Sequence, residues 1–169
     1  MADFLPAFEK TILKEGGYQL TNIADDRGGQ TYAGISRRSN PGWPGWEYID
    51  RGDTPSALMV RTFYLQNHWD VMGLTAIESQ MVAQSMFDFG VNTHPLVAAK
   101  LAQLVVGATP DGKIGPVTTA AINAVNVDLF MAHFALAKVA RYRDIVRRDK
   151  TQLKFLLGWI NRTLDGVVA

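Results

Sequence analysis

The sequence predicts a mostly helical fold of the α+β class, about seven helices with a small β element near residues 18–36, confined to one edge. Three observations point there. From Thr54 onward, apolar residues recur at helical spacing in segments punctuated by Gly, Pro and capping residues. Between Tyr18 and Ser36 the pattern changes to short extended segments around Gly28-Gly29. No fixed-period repeat or low-complexity tract interrupts the chain. At 169 residues, 47% hydrophobic and 20% charged, the chain has one domain's length and an ordinary globular composition, which excludes wholesale disorder. We expect a single globular domain over 1–169, in which 1–92 carries the candidate chemistry and 93–169 is a helical half. Gly107–Gly115 is the best junction between lobes.

Phe4, Leu5, Phe8, Ile12 and Leu13 share a helical face, Asp3 is a plausible N-cap and Gly16-Gly17 a stop, so a helix is predicted from Asp3 to Glu15. Tyr18–Ser36 reads as two extended segments about a turn. Arg37–Asp53 contains Pro41, Pro44, Trp43, Trp46 and three glycines, and reads as an ordered, indole-rich loop. Thr54 and Pro55 open a helix with Leu58, Thr62, Leu65 and Trp69 on one face. Further helices are predicted over Leu74–Gly90, Pro95–Val106, Pro116–Ala124, Asp128–Arg148 and Leu153–Leu164. Pro110-Asp111-Gly112 marks a turn.

Absence of cysteine excludes disulfides, thiol nucleophiles and zinc–thiolate sites. His68, His94 and His133 show no metal-ligand spacing, and Asp111–Gly115 is too short and too poor in acids for a calcium loop, so neither metal nor cofactor is expected. Nucleophile-elbow, P-loop and dinucleotide motifs are missing. The N-terminus lacks a basic leader with an apolar core, and no uncharged stretch reaches the roughly 20 residues of a bilayer span. The expectation is a soluble monomer made in the cytoplasm without a signal peptide. Net charge is −4 over 1–90 and +5 over 91–169. Lys138–Lys154 alone carries +5 in 17 residues. Such a stretch is most often a solvated helix face; its functional reading is attraction to an anionic envelope. Nucleic acid is disfavoured by the near-zero overall charge and the lack of a recognised module.

Glu15 is the residue to single out. A carboxylate at a helix C-terminus faces the negative end of the macrodipole, which disfavours its ionised form and suits a proton donor. The two following glycines leave room for a ligand near the backbone. Asp25 and Asp26 follow ten and eleven residues on. If the hairpin folds back over the helix end, one of them can face Glu15, and two carboxylates in unlike surroundings are what glycoside hydrolysis uses. Thr31, on the return strand, could hold a water. A solvated glutamate, an ordinary Asx turn and a strand-surface threonine are the bland alternatives. Tyr18, Tyr32, Trp43, Trp46 and Trp69 offer flat apolar surfaces matching sugar C–H faces, although at least two of the four tryptophans are expected in the core.

Several motifs together resemble glycoside hydrolase family 108. Glu15-Gly16-Gly17-Tyr18 and Asp26-Arg27-Gly28-Gly29-Gln30-Thr31-Tyr32-Ala33-Gly34-Ile35 resemble its start. Phe87–Thr93, Asp111–Pro116 and Gly158–Arg162 resemble its second half, a predicted peptidoglycan domain. The resemblance implies a lysozyme-like fold and N-acetylmuramidase activity on bacterial peptidoglycan, in a phage endolysin or a secretion-associated enzyme that reaches the wall by holin-type release or dedicated export. It implies Glu15 as general acid, Asp26 as second carboxylate with Asp25 as competitor, and Thr31 with Asp26 positioning a water. Tyr18, Gln30, Tyr32, Trp46, Trp69 and Asn92 are the candidate sugar contacts. Two rivals stay open: a lytic transglycosylase, and a non-catalytic wall-binding or secretion-associated module. The chain departs from the family pattern at His68, where Tyr is frequent, and at His94, where Gly is common.

Overall fold

The computed structural model describes residues 1–22 and 29–165. Its described residues form eight α-helices and one three-stranded antiparallel sheet, the mostly helical class expected. Two compact units divide the chain, Asp3–Val71 and the segment from Met72 onward together with Met1–Ala2. The division by motif, at 92/93, falls elsewhere.

The first unit opens with α1 (Phe4–Lys14), whose N-cap Asp3 accepts a hydrogen bond from the Leu5 N–H at 3.0 Å. Such a cap contributes about 1 kcal/mol. Ala7, Phe8, Thr11 and Ile12 form its buried face. Strands β1 (Leu20–Asn22), β2 (Gln30–Tyr32) and β3 (Ile35–Ser36) follow in sequential order. Leu20 pairs with Tyr32, Thr21 with Thr31, and Thr31 in turn with Ser36. Between β2 and β3 only Ala33 and Gly34 remain, at φ +49° and +77°. Two successive positive φ values make this the type I′ connection whose twist matches that of its strands.

Two segments depart from expectation. The indole-rich loop contains a short helix, α2 (Gly45–Asp50). Pro44, at φ −60°, is already helical, and burial of Trp43 and Trp46 holds the turn that follows. Helix α3 (Ala57–Tyr64) runs into one π turn, Leu65–Trp69. The buried face is therefore Val60, Tyr64 and Trp69, with a five-residue last step, and Leu58 is 67% exposed instead of facing the core. Aromatic rings knit the unit together. Phe4 meets Trp69 and Phe8 at 5.6 and 5.5 Å, Phe8 meets Tyr64 at 5.7 Å, and Tyr64 meets Phe63 at 5.5 Å. Trp43 then contacts Phe63, Trp46 and Tyr32.

The second unit is built on α4 (Gln80–Asn92), α5 (Pro95–Val105), α6 (Pro116–Ala124), α7 (Val127–Arg148) and α8 (Leu156–Leu164). The helix expected over Leu74–Gly90 is divided: a short turn at Leu74–Ala76 precedes α4, which starts where the Ser79 side chain accepts from the Val82 N–H. Phe89, Phe130, Phe134 and Tyr142 form its aromatic core, and Tyr142 stacks on Trp159 at 5.1 Å. Arg162 donates to both carboxylate oxygens of Asp88, joining α8 to α4. None of the described helices is singly long and apolar enough to cross a membrane.

The Asp111–Pro116 motif is a turn locked onto α5. Buried Gln103 donates through Nε2 to Asp111 Oδ1 at 2.7 Å and to the Lys113 carbonyl at 3.1 Å, and its Oε1 accepts from the Gly112 N–H at 2.8 Å. Gly112 is at φ +85°, where a side chain is strained, and Leu96 packs against it. The Lys113 N–H first, then the Gln103 amide, hold the Asp111 carboxyl below its ordinary range, outweighing the opposing effect of burial. A lowered folded value contributes stability above the unfolded value, and that stability is lost as pH falls through the folded one. Melting temperature followed against pH should therefore drop less steeply on the acid side in Asp111→Asn than in the wild type; parallel acid limbs would remove this role.

Candidate active site

Glu15 is the C-cap of α1, at φ −82° and ψ 9°. The Gly16 N–H donates to the Leu13 carbonyl at 3.2 Å and the Gly17 N–H to the Ile12 carbonyl at 2.9 Å. Both glycines have positive φ, +87° and +71°. This is the paired-bond helix stop in which left-handed glycine satisfies the last carbonyls. It sets where the half-buried Glu15 side chain leaves the helix.

The hairpin turn meets that side chain. A Cβ on Gly34 would stand 3.1 and 3.3 Å from Glu15 Cβ and Cγ, and 2.5 Å from the Tyr64 hydroxyl oxygen. The aliphatic stem of Glu15 thus packs against the turn, and Gly34 is required both by its φ and by the lack of space. Tyr64, from α3, donates its hydroxyl to the Ala33 carbonyl at 2.8 Å. The stem of Glu15 at the end of α1 and the Tyr64 hydroxyl from α3 thus both flank the Gly34 turn. Gly34 and Tyr64 were not singled out from the sequence. The available signal was Ala33-Gly34 between two β-prone residues, a two-residue hairpin whose second position favours glycine.

Thr31 is half-buried at the centre of β2, and its carbonyl accepts from Thr21 Oγ1 at 3.4 Å. Strand alternation places its side chain on the face opposite Gln30 and Tyr32. Asp25 and Asp26 lie outside the described residues. Tyr18 is 42% exposed. Its neighbour Tyr32 is buried, and burial first, then the proximity of Tyr18, push the Tyr32 hydroxyl above its ordinary value.

Other candidate sugar contacts have structural partners. Arg37 Nη1 donates to Gln30 Oε1 at 2.7 Å, while both terminal nitrogens grip Asp50 at 2.7 and 2.6 Å. The hydrogen bond from Arg37 holds the Asp50 carboxyl below its ordinary range. The same guanidinium lies 5.2 Å from the Trp46 ring centre, and Trp46 Nε1 donates to the Asn40 carbonyl at 2.7 Å. Trp46 is 3% exposed and Trp69 0%. Tyr32, Trp46 and Trp69 are therefore core residues here, and of the four aromatic candidates only Tyr18 presents its ring to solvent. Asn92 belongs to the second unit, where its Oδ1 accepts from Arg162 Nη1 at 3.3 Å. No cluster of three or more metal-ligating side chains occurs among the described residues.

A separate cleft of about 510 Å³ opens in the first unit between Asn40–Pro44 and the outer face of α3. Glu15 does not line it.

Residues 8–93, half of the chain, match the family model described as Glycosyl hydrolase 108, which makes the protein a glycoside hydrolase. It belongs to glycosyl hydrolase family 108. Residues 97–164 match the model described as Predicted Peptidoglycan domain, and the two together define a peptidoglycan hydrolase that acts at the cell wall. The fold is shared with the solved structure of SagA from Brucella abortus, at TM-score 0.70 and 22% identity, over 98% of this chain and 96% of that one. No curated protein matches the sequence.

Proposed function

We propose that the enzyme is an N-acetylmuramidase that hydrolyses the β-1,4 bond between N-acetylmuramic acid and N-acetylglucosamine, with Glu15 as the proton donor. The observation that carries this reading is the clamping of the Glu15 stem by the Gly34 turn at the end of α1. A donor held in one position is what general acid catalysis uses. In the reaction, the Glu15 proton passes to the glycosidic oxygen as that oxygen's bond to the anomeric carbon breaks. Water then adds to that carbon through its oxygen, and the proton it sheds passes to the carboxylates, which restores the Glu15 acid. Asp26, with Asp25 as its competitor, is the second carboxylate, which steadies the oxocarbenium-like state or, with Thr31, orients the water. A carboxylate gap of roughly 6.5–9.5 Å would give inversion and one of about 5–5.5 Å retention. Tyr18, exposed beside the site, is the aromatic best placed to lie along a sugar ring. The enzyme works as a monomer, in the manner of a phage endolysin that reaches the wall by holin-type release or a dedicated export route. Its exposed Arg147, Arg148, Lys150 and Lys154 give it a secondary attraction to anionic envelope.

Mass analysis of muropeptides released from purified sacculi tests the chemistry. Hydrolysis adds one water and leaves reducing N-acetylmuramic acid ends. Products with 1,6-anhydro ends would reassign the enzyme as a lytic transglycosylase. Pelleting with sacculi without any soluble product would reassign the chain as a binding module.

A further inference from the structure

The cleft lies against the outer face of α3, opposite the face that Val60 and Tyr64 bury. The π turn after Tyr64 brings Trp69 onto the same buried face. Val60, Tyr64 and Trp69 thus go to the core, and Leu58, Thr62 and Gln66 line an open cleft opposite Asn40 and Pro44. Its volume, about 510 Å³, lies within the roughly 300–1,000 Å³ of small-ligand sites. Its chemistry is selective. All ten lining residues are uncharged. Phe63, Leu58, Met59, Pro44 and the rim of Trp43 provide apolar surface. Asn40 Nδ2 donates to the Ser36 carbonyl at 3.2 Å and Asn67 Nδ2 to the Phe63 carbonyl at 2.9 Å. Each amide is thereby oriented by the backbone and retains its Oδ1 as an acceptor. Thr62 and Gln66 add a hydroxyl and a primary amide.

We propose that this cleft is a second saccharide site, distinct from Glu15, which binds an N-acetylglucosamine unit of a glycan strand. A neutral ring with an apolar C–H face and an acetamido N–H matches apolar walls and oriented acceptor oxygens. The absence of charge disfavours the ionised peptide stems of the same polymer. The site would hold the enzyme on its insoluble substrate while Glu15 acts on another segment of strand. The inference rests on the peptidoglycan-hydrolase reading, and its test reads binding rather than cleavage.

Chitotetraose titrated into full-length Glu15→Gln, followed by NMR, should give saturable shifts of the Gln66 and Asn67 side-chain amides. Thr62→Arg, which puts a long charged side chain on the cleft wall, should weaken that binding by about tenfold or more. Asn67→Ala, at an exposed position, should weaken it in the same direction and serves if Thr62→Arg does not fold. Shifts confined to the surroundings of Glu15 and Tyr18 would overturn the second site while leaving the muramidase reading intact. Equal shifts with cellotetraose, which lacks the acetamido group, would overturn the N-acetyl assignment.

Discussion

Gly34→Ala is expected to lower both stability and wall lysis, with the loss of activity exceeding what unfolding explains. Two terms add in stability. An L-residue at φ +77° is strained by about 1–2 kcal/mol. The new Cβ would also meet the Tyr64 hydroxyl at 2.5 Å and Glu15 Cβ at 3.1 Å, and crowding of this kind costs about 1–3 kcal/mol. The Tyr64 oxygen cannot simply swing away, because it terminates a rigid ring bonded to the Ala33 carbonyl. Together they reach about 2–5 kcal/mol, a large part of the roughly 5–15 kcal/mol that keeps a domain folded. Gly52→Ala provides the control, since Gly52 has φ +83° and open space around it; it should show the backbone term alone and keep full activity. The relief available to Gly34→Ala is displacement of the Glu15 stem, and misplacing a catalytic group by an ångström can cost about a hundredfold in rate. Turbidity assays well below both melting points separate the effects. A Gly34→Ala enzyme with native melting and native lysis would show that the turn does not hold the glutamate.

The parts of this fold legible in the sequence are those fixed by short-range chemistry. Asp3 before Phe4, Gly16-Gly17 after Glu15, and Pro95 and Pro116 at helix starts all act within one turn, and the helices they bound lie where their spacing places them. Helix α2 escaped because Pro44 and Gly45 read as breakers. Their neighbours Trp43 and Trp46 are core residues, and the Trp43 ring lies directly over Gly45, where it leaves no room for a Cβ. The π turn escaped because a 3.6-residue period fits Leu58, Thr62, Leu65 and Trp69 equally well; only the packing of Val60 and Tyr64 selects the other face. At the site, the position of Glu15 was legible from its cap. Its support was not, since Gly34 packs on it from 19 residues away and Tyr64 bonds the turn beside Gly34 from farther along the chain. Gln30 and Trp46 both meet Arg37, which itself pairs with Asp50, across the first unit. No local periodicity encodes that network.

Glu15→Gln carries the largest expected loss. The amide keeps the size of the side chain and its packing under Gly34, so the fold and the melting temperature should stay near native. On the proposed role of Glu15, the amide cannot supply the proton that the departing sugar oxygen takes up, and loss of a general acid removes about 10²–10⁴-fold in rate. Release of reducing muropeptides from purified sacculi, compared between wild type and Glu15→Gln at equal folded concentration, puts the central claim to its most direct test. With Glu15 as the proton donor, the variant still pellets with sacculi while its release rate falls at least about a hundredfold. Release by the folded variant at the wild-type rate would contradict it.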